Sequence, residues 1–220
     1  MDPSRQSRGG FKIIMLKVKE KKERALGVKL FLKAERCNSP KCAFVRRPYY
    51  PGVHGQRRRS APSDFSRQFQ EKQKIRFSYG VNESQMKRIF SRAAKNPGIT
   101  SQMIISFLER RLDNVIYRGG LAPSRFVARQ FVSHGHFLVN GRRLTIASYE
   151  VKVGDLITIR PQSQNHPSFQ EFDLVLKKYE PPVWLSLDKE KHELKVIALP
   201  KDLDLPFNAN LVIDYYSKMV

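Results

Sequence analysis

The sequence predicts an α+β protein, and three observations predict it. Between Asp64 and Val132, apolar residues recur in several segments at intervals of three or four, the period of helices with one buried face. Phe137-Leu138-Val139 runs into Asn140-Gly141, the strongest short hairpin signal a sequence offers. Leu156-Ile157-Thr158-Ile159 then stands behind a Gly154-Asp155 turn and reads as a strand. The chain from Leu108 onward is therefore expected to close as a small α/β module, two helices packed on a small mixed sheet.

Each element has its own local reason. Met1 to Gly10 is polar and reads as a disordered arm, and Lys12 to Lys33 is basic with a half-apolar run, Val28-Lys29-Leu30-Phe31-Leu32. Glu35 to Ser63 shows little periodicity, and Pro40, Pro48, Pro51, Pro62, Gly52 and Gly55 mark it as irregular backbone. A helix is expected from Asp64 to Tyr79, opened by Ser63 or Asp64 and closed by Gly80. Asn82 caps the next one through Lys95, with Met86, Ile89, Phe90 and Ala93 inward, until Asn96-Pro97-Gly98 breaks it. Thr100 or Ser101 begins a long helix, whose buried face carries Ile104, Leu108, Leu112 and Val115 and whose end is Gly119-Gly120. Ser124 caps a helix with Val127, Ala128, Phe131 and Val132 on its apolar side, and Gly135 is its left-handed stop. Pro161 to Pro167 reads as a linker and Phe169 to Tyr179 as a helix. Trp184–Leu187 and Leu194–Leu199 form a hairpin, and a last helix capped by Asn208 or Asn210 carries Leu211, Ile213 and Tyr216.

Charge narrows the function. The 220 residues carry a formal net charge of +21 and 40% are hydrophobic, enough for a real core. Residues 1–80 hold 21 Lys and Arg against 6 Asp and Glu, residues 81–160 hold 13 against 5, and residues 161–220 hold 7 against 9. Excess confined to the first two thirds argues for a polyanion covering that face. No apolar run approaches the roughly 20 residues of a membrane span, and no basic amphipathic helix with an aromatic face stands out, so no membrane partner is expected. Ile13-Ile14-Met15-Leu16 is too short for a secretory core, which makes the cytoplasm the expected compartment.

Within the module, Arg111, Asn114 and Arg118 share one helical period, as do Arg110, Asn114 and Arg118, and Arg125 and Arg129 lie four apart on the outside of the next helix. Glu109 and Asp113 are the nearby acids. Two readings stand at this point: solvated helix faces, or an edge of guanidinium groups that pair bidentately with phosphates. Among residues 35–63, Lys41, Arg46, Arg47, His54, Arg57, Arg58 and Arg59 are interleaved with Tyr49 and Tyr50, a pattern that allows base stacking as well as phosphate contact.

The stretch RLDNVIYRGGLAPSRFVARQFVSHGHFLVNGRRL, residues 111–144, resembles almost residue for residue the RNA-binding module of the bacterial small-subunit ribosomal protein four family. The Ser133 to Gly141 run is its most distinctive part. That module also occurs in RNA-modifying enzymes and a tRNA synthetase, so the flanks decide. GVKLFLKAERCNSPKCAFVRRPYYPGVHGQRRRSAPSDF at 27–65, the Gln70–Lys74 run, WLSLD at 184–188 and the ending LVIDYYSK at 211–218 resemble the ribosomal protein. The resemblance implies an inserted architecture, with a basic arm at 1–26, a helical domain at 27–107, the module at 108–178, and a tail at 179–220 that returns to the helical domain. It implies a primary ribosomal-RNA binder at a multi-helix junction that nucleates assembly of the subunit body. It also implies a place at the mRNA entry region, contact with small-subunit ribosomal protein five and an influence on decoding accuracy.

The expected RNA contacts are Arg110, Arg111, Asn114, Arg118, Arg125, Arg129, His134, His136, Asn140 and Arg142 in the module. In the amino-terminal domain they are Lys41, Arg46, Arg47, His54, Arg57, Arg58, Lys72, Lys74 and Arg76. Arginines would clamp phosphates, while Asn114 and Asn140 would hold backbone shape. An enzyme or accessory factor borrowing the module is the competing class. No catalytic residue is assigned, because the G-x-x-x-x-G-K, H-E-x-x-H and G-x-S-x-G patterns are all missing. No cofactor is expected. Some relatives hold a metal with two cysteine pairs. Here the second pair is Cys37 and Cys42, while the first falls at Glu20 and Glu23, a poor tetrahedral donor set, so no zinc is expected.

Overall fold

The computed structural model describes residues 20–58, 60–164, 169, 176, 179–201 and 206–218, with Ala34 and Glu35 described by backbone alone. The expected arm at Met1–Gly10, Arg59 and most of the Phe169–Tyr179 helix lie outside these residues. Of that stretch, Phe169, Leu176 and Tyr179 are described, and Phe169 and Leu176 are buried in the module core.

The helical half is built from α1 (Lys21–Leu26), α2 (Ala34–Asn38), α3 (Ala43–Arg46), α4 (Asp64–Ser78), α5 (Glu83–Lys95), α6 (Thr100–Glu109) and α9 (Ala209–Ser217). Local chemistry sets several of the starts. The Ser63 hydroxyl accepts from the Ser66 amide, and the Asn208 side chain accepts from the Asn210 amide. Asn82 and Gln85 exchange side-chain and backbone bonds in a capping box. Ile75, Tyr79, Met86, Phe90, Ile104, Leu108, Val212, Tyr215 and Tyr216 share one core. Burying each large apolar side chain fully contributes roughly 1.5–3 kcal/mol. Residues 21–26, placed in the arm by sequence, form α1 and pack against α3 and α4.

The module holds α7 (Leu112–Arg118), α8 (Arg125–His134), β1 (Phe137–Val139), β2 (Arg142–Arg143) and β3 (Leu156–Ile159). Ser124 caps α8 through the Val127 amide, and Gly135 ends it at φ +76°. Asn140 and Gly141 take φ +50° and +76° between β1 and β2, the hand that a two-residue hairpin needs.

Three expectations change. The long helix through Leu112 is two helices. Arg111 is extended and bridges Glu150, and the Leu112 and Asp113 amides donate to the Tyr149 and Ala147 carbonyls. A turn of helix has been exchanged for bonds to the 147–151 segment, and Arg110 and Asn114 do not share a helical face. The sheet is antiparallel throughout rather than mixed, in the order β2-β1-β3-β5-β4. Its last two strands, β4 (Leu185–Asp188) and β5 (Glu193–Val196), come from the tail. The tail hairpin thus extends the module sheet, with Ile157 opposite Leu194, and α9 is what returns to the helical domain.

Gly119 shows why that extension fits. A Cβ there would lie 2.5 and 2.8 Å from the two Leu194 methyl carbons, so at this spacing of α7 and β5 any side chain would have to displace Leu194.

Candidate nucleic-acid interface

Two buried carboxylates organise the arginines of the module. Glu109, at the last position of α6, is fully buried. It accepts two bonds from Arg118, at 3.1 Å from Nε and 3.0 Å from Nη2. It also accepts from Asn114 Nδ2 at 2.7 Å and the Tyr79 hydroxyl at 2.5 Å. Burial pushes the Glu109 carboxyl up, but the Arg118 hydrogen bonds and charge, with Arg125 and Tyr79, outweigh it and hold the group below the ordinary carboxylate range. The same burial, then the Glu109 charge, pushes the Tyr79 hydroxyl well up, so it stays a donor.

Asp113 sits in the first turn of α7, where the helix dipole favours a negative charge. It accepts from Arg111 Nε and Nη2 at 3.1 and 2.9 Å, and from Arg129 Nε and Nη2 at 2.9 and 2.5 Å. Arg129 also donates to the Tyr79 and Gly80 carbonyls at 2.9 and 2.6 Å. Arg125 donates to Asn114 Oδ1 at 2.7 Å and to Ser78 Oγ at 3.4 Å, with its guanidinium 4.7 Å from the Tyr79 ring centre and 4.6 Å from that of Tyr117. These α8 arginines therefore face the end of α4 and tie the module to the helical half, instead of lying together on the outside.

This arrangement sorts the residues singled out in the sequence. Arg111 and Asn114 are 5% and 1% exposed. Arg118, Arg125 and Arg129 are partly buried and engaged by carboxylates. Arg110 is half-buried and donates Nε to the Val151 carbonyl at 3.1 Å. Lys72 is buried against Glu83 and Tyr215, Lys74 pairs with Glu71 at 2.6 Å, and Arg76 lies 3.6 Å from Glu83. Asn140 shapes its turn, donating to Asp155 and accepting from the Leu156 amide.

Two groups of exposed residues remain. The first is Lys41, just before α3, with Arg46, Arg47, His54, Arg57 and Arg58 in and after it; none of its lysines or arginines forms an ion pair among the described residues. The second is the edge around the end of α8. There the His134 and His136 rings are 5.8 Å apart, Arg143 donates to the His134 carbonyl at 3.2 Å, and Arg142 is exposed on β2. His136 is half-buried, with Nδ1 3.0 Å from Ser163 Oγ. Arg143 was not among the expected contacts, and neither were Lys87 and Arg88 on the exposed side of α5. The alternation in α5, with Met86, Phe90 and Ala93 inward, was the signal that could have found that pair.

The cysteine region does not fit a metal. Glu23 is fully buried and its Oε1 accepts the Leu30 and Leu32 amides at 2.9 and 3.2 Å. Glu20 takes the Ala43 amide on one oxygen and Arg36 on the other. Cys37 Sγ accepts the Lys33 amide, and burial pushes its thiol up, away from the thiolate a metal needs. Glu23 Oε1, Glu20 Oε2 and Cys37 Sγ are thus already committed to backbone N–H groups, and Glu20 also faces the Arg36 cation.

The chain matches two family models that meet at the break between α6 and α7. Residues 16–109 match the ribosomal protein S4/S9 N-terminal domain, and residues 110–157 match the S4 domain. The small ribosomal subunit protein uS4 of Halothermothrix orenii is 49% identical over 194 residues, 87% of this chain and 93% of that protein. Those of Thermus thermophilus and Caldicellulosiruptor bescii are 48% and 50% identical over the same shares.

Proposed function

We propose, because the chain belongs to the uS4 family of small ribosomal subunit proteins, that it serves the small subunit by binding its ribosomal RNA at a multi-helix junction. The observation that carries this reading is the sorting of its cations. Buried carboxylates neutralise the arginines that join the two halves, while Arg46, Arg47, Arg57, Arg58 and Arg142 stay exposed and without carboxylates among the described residues. Guanidinium groups left in water on a folded frame suit phosphate oxygens. The internal arginines, Arg111, Arg118, Arg125 and Arg129, act by holding that frame. Through this binding the protein would nucleate assembly of the subunit body. At the mRNA entry region it would meet small-subunit ribosomal protein five and influence decoding accuracy.

The test is equilibrium binding of the full chain to a small-subunit ribosomal RNA transcript at several salt concentrations. Affinity should fall steeply, with a log–log slope of roughly −0.7 to −0.9 for each phosphate neutralised. A slope near zero, or no binding at any salt, refutes the reading.

A further inference from the structure

We infer that the cleft between α1 and the turn after α3 receives one unstacked nucleotide of the RNA, its base against the Tyr49 and Tyr50 side of the cleft and its phosphate at Arg47. The inference rests on the RNA-binding reading and adds a site to it. The cleft has a volume of about 130 Å³ and is lined by Arg24, Phe44, Arg47, Pro48, Tyr49 and Tyr50. One water needs roughly 10–15 Å³ of such space, so the cleft has room for a ring system. Its lining is aromatic and cationic, with no carboxylate. RNA is read in this way where bases are splayed out and stacked on aromatic rings and guanidinium planes.

The walls are fixed before any ligand arrives. From α1, Arg24 Nε donates to the Arg47 and Tyr49 carbonyls at 2.9 and 3.1 Å, and Nη2 donates to the Tyr49 carbonyl at 2.9 Å. Its guanidinium lies 5.0 Å from the centre of the Tyr49 ring. Tyr49 as a whole is 37% exposed, so surface remains for a second planar group. On the other side, the Gly55 amide donates to the Gly52 carbonyl and closes a turn against Tyr50. A Cβ at Gly55 would lie 1.8 Å from the Tyr50 carbonyl oxygen, so this approach requires glycine. Arg47 lines the cleft and is exposed, with Arg46 exposed next to it in sequence, where the phosphates flanking an inserted base would pass.

The experiment compares wild type, Tyr49→Ala and Tyr49→Phe, all full-length, on the same ribosomal RNA transcript. Ultraviolet crosslinking of the wild-type complex followed by mass spectrometry is run in parallel. Tyr49→Ala should weaken binding about 5- to 160-fold, the range for loss of one stacked base. The salt slope should not change, because no phosphate contact is removed, and Tyr49→Phe should bind like wild type. A nucleotide adduct should appear on Tyr49 or Tyr50. If Tyr49→Ala fails to fold, the adduct decides. Unchanged affinity in folded Tyr49→Ala, or adducts confined to other residues while wild type binds with a steep salt slope, removes the cleft and leaves the RNA-binding reading standing. Wild type that ignores the transcript at every salt concentration removes both.

Discussion

At the scale of single residues, two buried glutamates behave in opposite ways. Glu109 is surrounded by cations that hold its carboxyl below the ordinary range, despite full burial. It therefore contributes stability that is present above the unfolded value of about 4.3 and is lost as pH falls through the folded pKa. Glu109→Gln should cost about 3 kcal/mol at pH 7, because Arg118 and Arg125 lose the charge they face. Urea unfolding would show this as a lower midpoint, and the gap from wild type should close in acid. Glu23 is raised, first by burial and then by Glu20, against the lowering pull of the Leu32 and Leu30 amides. Its contribution is full below the unfolded pKa and declines as pH rises through the folded one. Glu23→Gln keeps an oxygen for those amides, so the same measurement should find it as stable as wild type, or more so, at pH 7. A large loss there would show that the carboxylate charge itself holds the 20–43 region together. None of this was legible in the sequence. Glu109 and Asp113 are two acids among many arginines, and nothing local tells that each serves several cations at once.

At the scale of elements, legibility follows the range of the interaction. Ser63, Asn82 and Ser124 cap the helices they precede, and Asn140-Gly141 turns its hairpin, because each works through backbone within three residues. The break at Arg110–Arg111 was not legible. The apolar period runs straight through it, and the bonds that open the helix come from residues 147–151, more than thirty positions away. The tail hairpin was legible as a hairpin, but its seat beside β3 was not, since alternation fixes a buried face and not a neighbour. Gly119→Ala tests that seat. The new methyl would strike Leu194, which is fully buried and has little room to yield, and should cost about 1–3 kcal/mol. A thermal midpoint equal to that of wild type would mean the sheet and α7 can slide apart freely.

At the scale of the molecule, internal and exposed arginines should separate cleanly in one pair of measurements. Arg46→Ala with Arg47→Ala should leave the unfolding midpoint near that of wild type and flatten the salt slope by roughly 1.4–1.8, two phosphates' worth. Arg111→Ala with Arg125→Ala should do the reverse, lowering stability by several kcal/mol, because Asp113 and Asn114 lose buried partners, and changing the slope little. If both pairs altered the slope equally, the inner arginines would have to reach the RNA. The α+β class was legible from periodicity, while the two-part plan came only from the family resemblance that the motifs carry. The path of the tail was only half legible, since it serves both parts. That path has a consequence for the order of synthesis. Val212, Tyr215 and Tyr216 fill the core formed by α4, α5 and α6, and they are synthesised after β1 to β5. A nascent chain halted before Ala209 would hold the strands of its sheet beside an unsealed bundle, a frame still missing its final stave.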